Sequence, residues 1–105
     1  MLVLPNNTAL VWSNFLLENK TLVYKFMIRE VKKGIEENVD VIQLFKFENN
    51  SMNASIPKKD IISFLTNAME YFIEEEEYEY AGKTEKVIQS FHINQLIRES
   101  IPKEG

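Results

Sequence analysis

The sequence predicts an α+β domain: an antiparallel sheet of about four to six strands, one long amphipathic helix over about residues 57–75 packed on one face, and a short C-terminal helix. Three observations lead there. Ile61, Leu65, Ala68 and Phe72 fall at four-, three- and four-residue steps, the spacing of one helix face. VDVIQLFKFE, residues 39–48, reads as a strand. KVIQSFHI alternates, with Val87, Gln89, Phe91 and Ile93 on one side and Lys86, Ile88, Ser90 and His92 on the other.

In chain order, TALVWSNFLLE is expected to form a first strand, with a short helix as the alternative. NKTLVYKFMIREVKKG supports two periods. Val23, Met27, Val31 and Ile35 step by four, which is helical, whereas Leu22, Tyr24, Phe26 and Ile28 alternate. Its β-branched and aromatic content favours a strand over 21–31. After the strand at 39–48, NNS makes a turn and MNASI a short return strand.

The long helix starts from SIPKKD. Pro57 suits a first turn, where its missing N–H costs nothing. Ser55 or Ile56 would cap it, and Asp60 lies near the positive end of the dipole. Ile62, Met69 and Ile73 widen the apolar stripe, and Phe64 flanks it. The helix then meets a run of glutamates. Carboxylates at a helix C-terminus oppose its dipole, so it should stop near Glu75. Beyond it, Tyr78 and Tyr80 would share one face of an extended segment, AGKT would turn, and 77–81 and 86–93 would form a hairpin. Asn94 would cap a last helix through Leu96, Ile97 and Glu99, ended by Pro102 and followed by a loose tail, 102–105.

The totals bound the class. A chain of 105 residues is expected to be a single domain, 1–105. At that size it buries roughly 65% of its unfolded surface. An apolar fraction of 45% argues against global disorder. With no cysteine there is no disulfide, thiolate nucleophile or cysteine zinc site. MLVLPNNTALVW lacks the basic leader and sustained apolar core of a signal peptide. No apolar run approaches the ~20 residues that span a bilayer. The expected location is the cytoplasm, or the cytoplasm of a host cell.

The net charge of −4 makes this a small acidic protein, but the acidity is one segment. Residues 70–79 hold six glutamates and no base, a local charge of −6; the remainder holds twelve Lys/Arg against ten Asp/Glu, or +2.

Chemistry has few footholds. His92 is the only histidine, and no serine or carboxylate can be placed beside it as a general-base pair. GKT at 82–84 resembles the end of a phosphate loop, but the glycine required five positions before Gly82 is Glu77, which would repel phosphate. The consecutive glutamates lack the spaced ligand order of a calcium loop. No catalytic residue, metal or cofactor is expected, and the chain is read as a non-enzyme.

Two surfaces remain. The first is the acidic segment Glu74, Glu75, Glu76, Glu77, Tyr78, Glu79 and Tyr80, where concentrated negative charge would steer a basic partner and tyrosine would supply contact area. The second is a sheet face on which Tyr24, Lys25, Phe26, Arg29 and Lys46 would interleave bases with aromatics, as single-stranded nucleic acid requires.

The order of a strand at 21–31, a strand at 39–48, a short strand at 52–56 and a helix opening with IPKKD resembles the Whirly-type single-strand-binding domains over about residues 20–75. The resemblance is one of layout and brings across no individual residue. It implies a curved meander that carries a helix, and dimers that present the sheet to the strand. The acidic segment departs from the basic surface that the resemblance implies.

The first functional expectation is therefore a non-enzymatic protein-binding module: an inhibitor, an immunity-type protein or an adaptor. Its Lys-, Asn-, Ile- and Glu-rich composition suggests an AT-rich source such as a phage, virus or mobile element. The alternative is a single-stranded nucleic-acid binder. Homo-oligomerisation is compatible with both.

Overall fold

The structure, a computed structural model, describes residues 2–4, 9–48 and 53–100. The chain gathers into two compact units, Met1–Ile61 and Ile62–Gly105.

The first unit contains three strands and two helices. Strand β1, Leu2–Leu4, runs parallel to β2, Val41–Phe47, and β2 pairs antiparallel with β3, Asn53–Pro57. Strand order is β1-β2-β3. Ile42 stands opposite Ile56, and the register slips between Gln43 and Phe45, a bulge at Leu44. Ile42, Leu44 and Ile56 are buried, so one face of the sheet is core.

Helix α1 spans Ala9–Glu18 and α2 spans Lys20–Glu36. They meet at Asn19, whose side-chain amide donates to the Phe15 carbonyl at 2.9 Å while its own carbonyl accepts from the Val23 N–H at 2.9 Å. A polar side chain that competes for a helix carbonyl is a common cause of a break in a helix. In α2, Ile28, Val31, Gly34 and Ile35 are buried. Gly34 lies directly against Ile42, so α2 is the helix laid on this sheet.

The end of α2 is closed by its own backbone. Asn38 has φ 56°, its N–H reaches the Ile35 carbonyl at 3.1 Å, and the Val39 N–H reaches the Gly34 carbonyl at 3.2 Å. This is a Schellman turn, and asparagine tolerates the left-handed position better than most residues. Lys58 ties β3's end to it: its N–H donates to the Asp40 carbonyl at 2.8 Å and its Nζ to Asn38 Oδ1 at 3.1 Å. A short 3-10 turn, Lys58–Asp60, then leads into α3, Ile61–Glu74.

The second unit holds the rest of α3, and α4, Tyr78–Ser100. Leu65, Ala68 and Phe72 of α3 are buried, as are Ala81, Thr84 and Val87 of α4. The half-buried Ile88, Phe91, Asn94 and Gln95 continue the α4 stripe at helical spacing. The Phe72 and Tyr80 rings meet with centroids 5.6 Å apart, which joins the two helices near their turn.

The expected sheet of four to six strands is overturned: the structure has three described strands, only one pair of them antiparallel, and is dominated by helix. The strand expected at 9–17 is α1, and the strand expected at 21–31 is α2. The latter opened the layout that carried the Whirly resemblance. Within the first unit, α2 rather than the 57–75 helix lies on the sheet. The hairpin expected from 77–81 and 86–93, and the short helix after Asn94, are one continuous helix, α4. Gly82, read as a turn residue, lies exposed inside it. The strands at 41–47 and 53–57 and the end of α3 at Glu74 fall close to the expected positions. The NNS turn at 49–51 and the tail at 102–105 lie outside the described residues.

Candidate functional site

The acidic segment forms the elbow between α3 and α4. Its turn is closed by backbone hydrogen bonds. The Glu75 N–H donates to the Tyr71 carbonyl at 3.0 Å, that of Glu76 to Ile73 at 3.1 Å and that of Glu77 to Phe72 at 2.7 Å. Glu76 has φ 58°. The pair of bonds from 76 to 73 and from 77 to 72 is a second Schellman turn, with a glutamate where glycine is usual. The Glu77 carbonyl accepts from the Ala81 N–H at 3.0 Å, which begins α4 at once.

This explains how the chain accommodates the charge. Glu74 and Glu75 at the end of α3 oppose its dipole, whereas Glu79 in the first turn of α4 favours that of the second helix. The second helix offsets part of what the first one loses.

Glu70, Glu74, Glu75, Glu76 and Glu79 are exposed and Glu77 is half-buried. Glu79 Oε1 lies 3.3 Å from Lys83 Nζ. The two tyrosines, expected on one face, diverge. Tyr78 is 64% exposed, while Tyr80 is half-buried against Phe72 with Lys83 Nζ 4.6 Å from its ring centroid. Ile73, just before the turn, is also exposed. The elbow thus carries two exposed apolar groups among exposed carboxylates. Residues 62–105 hold nine Asp/Glu against four Lys/Arg, a charge of −5; residues 1–61 hold seven against eight, or +1.

The second expected surface does not form as a sheet face. Tyr24, Lys25, Phe26 and Arg29 are on α2, and Lys46 is on β2, opposite Val3 and Asn53. Tyr24 and Phe26 are half-buried, two positions apart on a helix, and so do not present one stacking platform. Lys25, Arg29, Lys32 and Lys33 do share a face: Arg29 lies four residues from Lys25, three from Lys32 and four from Lys33. Arg29, Lys32 and Lys33 are exposed.

His92 is exposed on α4 beside Phe91. Gly82, Lys83 and Thr84 are helical, and Thr84 Oγ1 donates to the Tyr80 carbonyl at 2.7 Å, so they form no phosphate loop. Among the described residues no group of three or more His, Cys, Asp or Glu could hold a metal ion, and no helix is long and apolar enough to cross a membrane.

One feature escaped the sequence reading. Ile93, Leu96 and Ile97, all exposed, lie on the side of α4 away from its buried stripe. Their three- and four-residue spacing was the available signal, and the alternation of KVIQSFHI masked it. No protein-family model, curated protein or solved structure matches the chain.

Proposed function

We propose that the chain is a small non-enzymatic protein-binding module, an inhibitor, immunity-type protein or adaptor, whose contact surface is the α3–α4 elbow. The observation that supports this reading is the display of Glu74, Glu75, Glu76 and Glu79 around the exposed Tyr78 on a turn fixed by its own backbone. A fixed turn loses little freedom when it binds. Its charge steers a basic partner, and its tyrosine supplies area at low entropic cost.

The test is calorimetric titration with an oligolysine peptide. Glu74, Glu75, Glu76 and Glu79 are changed together to glutamine, and a control changes Glu18, Glu36, Glu37 and Glu48 in the same way. Both variants lose the same charge. The elbow variant should bind at least about tenfold more weakly than the control, a difference of ~1.4 kcal/mol. Equal losses would reduce the elbow to a contribution to net charge.

Single-stranded nucleic-acid binding is a second reading, favoured by the Lys25, Arg29, Lys32 and Lys33 face of α2. Cations on one helix face can track phosphates without aromatic stacking. Anisotropy of a labelled oligonucleotide should then fall steeply with salt. Absence of binding at low salt would remove this reading.

A further inference from the structure

We propose that the exposed face of α2 docks the elbow of a second copy of this chain. The inference rests on the reading of the elbow as a contact surface and names its partner.

The α2 face is defined by spacing. Leu22, Lys25, Arg29, Lys32 and Lys33 follow at helical steps, while Ile28, Val31 and Ile35 on the other side are buried. Leu22 is 64% exposed. Residues 20–33 hold five bases and one acid, a local charge of +4, against −6 over residues 70–79. Arg29 and Lys33, both exposed, stand four apart, a like-charge spacing that an anionic surface laid over them relieves.

The match extends beyond charge. Leu22 sits at the edge of the basic face, and Ile73 and Tyr78 sit among the acidic groups. Each surface therefore joins exposed apolar area to charge of one sign, so that one contact can both exclude water and select its partner. Every copy carries one of each surface. Two copies related by a two-fold axis would make the contact twice and close a dimer; another rotation closes a larger ring where it divides a full turn evenly and otherwise continues as a filament.

Sedimentation of the full chain tests this. At ~20 mM salt the average mass should rise with protein concentration, and at ~0.5 M salt, where charges are screened within a few ångströms, it should fall to that of one chain. One variant carries Arg29→Glu, Lys32→Glu and Lys33→Glu; another carries Glu74→Lys, Glu75→Lys and Glu79→Lys. Each alone should remain a monomer at low salt: the first then carries net negative charge on both surfaces, and the second sets a basic α2 face against an elbow of zero net charge. An equimolar mixture should associate again.

Circular dichroism melts check that the variants fold, and glutamine at the same positions replaces any reversal that does not. The glutamine variants are then expected to lose association without unfolding. A wild-type chain monomeric at low salt, reversed variants that associate like wild type, or a folded mixture that stays monomeric would each overturn the proposal. So would association that disappears on nuclease treatment, which would favour a nucleic acid on α2. A monomeric wild type that still binds oligolysine through the elbow refutes the self-contact alone; loss of oligolysine binding at the elbow refutes the reading beneath it.

Discussion

Gly34 of α2 and Ile42 of β2 approach so closely that a Cβ on the glycine would lie 2.6 Å from Ile42 Cγ1 and 2.9 Å from its Cδ1. Helix and sheet meet at this point because one residue has no side chain. Ile42 is buried and has little room to move aside. Gly34→Ala should destabilise the chain by about 1–3 kcal/mol, although alanine is the better helix former by up to ~1 kcal/mol. Urea melts should show the cost disappear in an Ile42→Ala background. A gain in stability in the wild-type background would mean that α2 is not held this close to β2.

Gly82 should behave in the opposite way. It lies within α4, and a Cβ there would meet nothing within 4 Å. Gly82→Ala should stabilise the chain by about 0.8–1 kcal/mol, read as a higher urea midpoint with an unchanged slope. A loss of stability would favour the turn that the sequence suggests at AGKT.

Glu76 occupies a left-handed position at φ 58°. Such a conformation costs an ordinary L-residue about 1–2 kcal/mol, which glycine avoids. Glu76→Gly should therefore raise stability by about 1 kcal/mol, while Glu74→Gly, inside α3, should lower it. Equal effects of the two substitutions would rule out the second Schellman turn.

Phe72 is fully buried and meets Tyr80 across the elbow. Phe72→Ala should cost about 3–5 kcal/mol. Tyr80→Phe keeps the ring and should cost little. Thermal melts of both variants decide whether this ring pair joins α3 to α4.

The parts of the fold that were legible in the sequence had one period or one strong local cause. Ile61, Leu65, Ala68 and Phe72 have helical spacing alone, and the run of glutamates, unfavourable at a helix C-terminus, marks where α3 ends. The misread elements had two. In TLVYKFMIRE the β-branched and aromatic residues favour a strand, but Ile28, Val31 and Ile35 find their burial as a helix face against the sheet. Tertiary burial outweighs a propensity difference of under ~1 kcal/mol per residue. In KVIQSFHI the alternation arises because α4 carries apolar groups on both sides: Val87 and Phe91 in the buried stripe, Ile93 opposite. Gly82 then suggested a turn that the helix absorbs. The elbow's position and sign were readable. Its geometry was not, because a Schellman turn closed by glutamate leaves none of the usual glycine mark.

The most direct measurement of the central claim is a nitrogen-15 chemical-shift titration of the full chain with the oligolysine peptide at low salt. The account expects perturbations concentrated on Glu70 and on Glu74 through Tyr80, and absent from the elbow glutamine variant. Shifts distributed evenly over all the exposed carboxylates, or centred on residues outside 70–80, would contradict it.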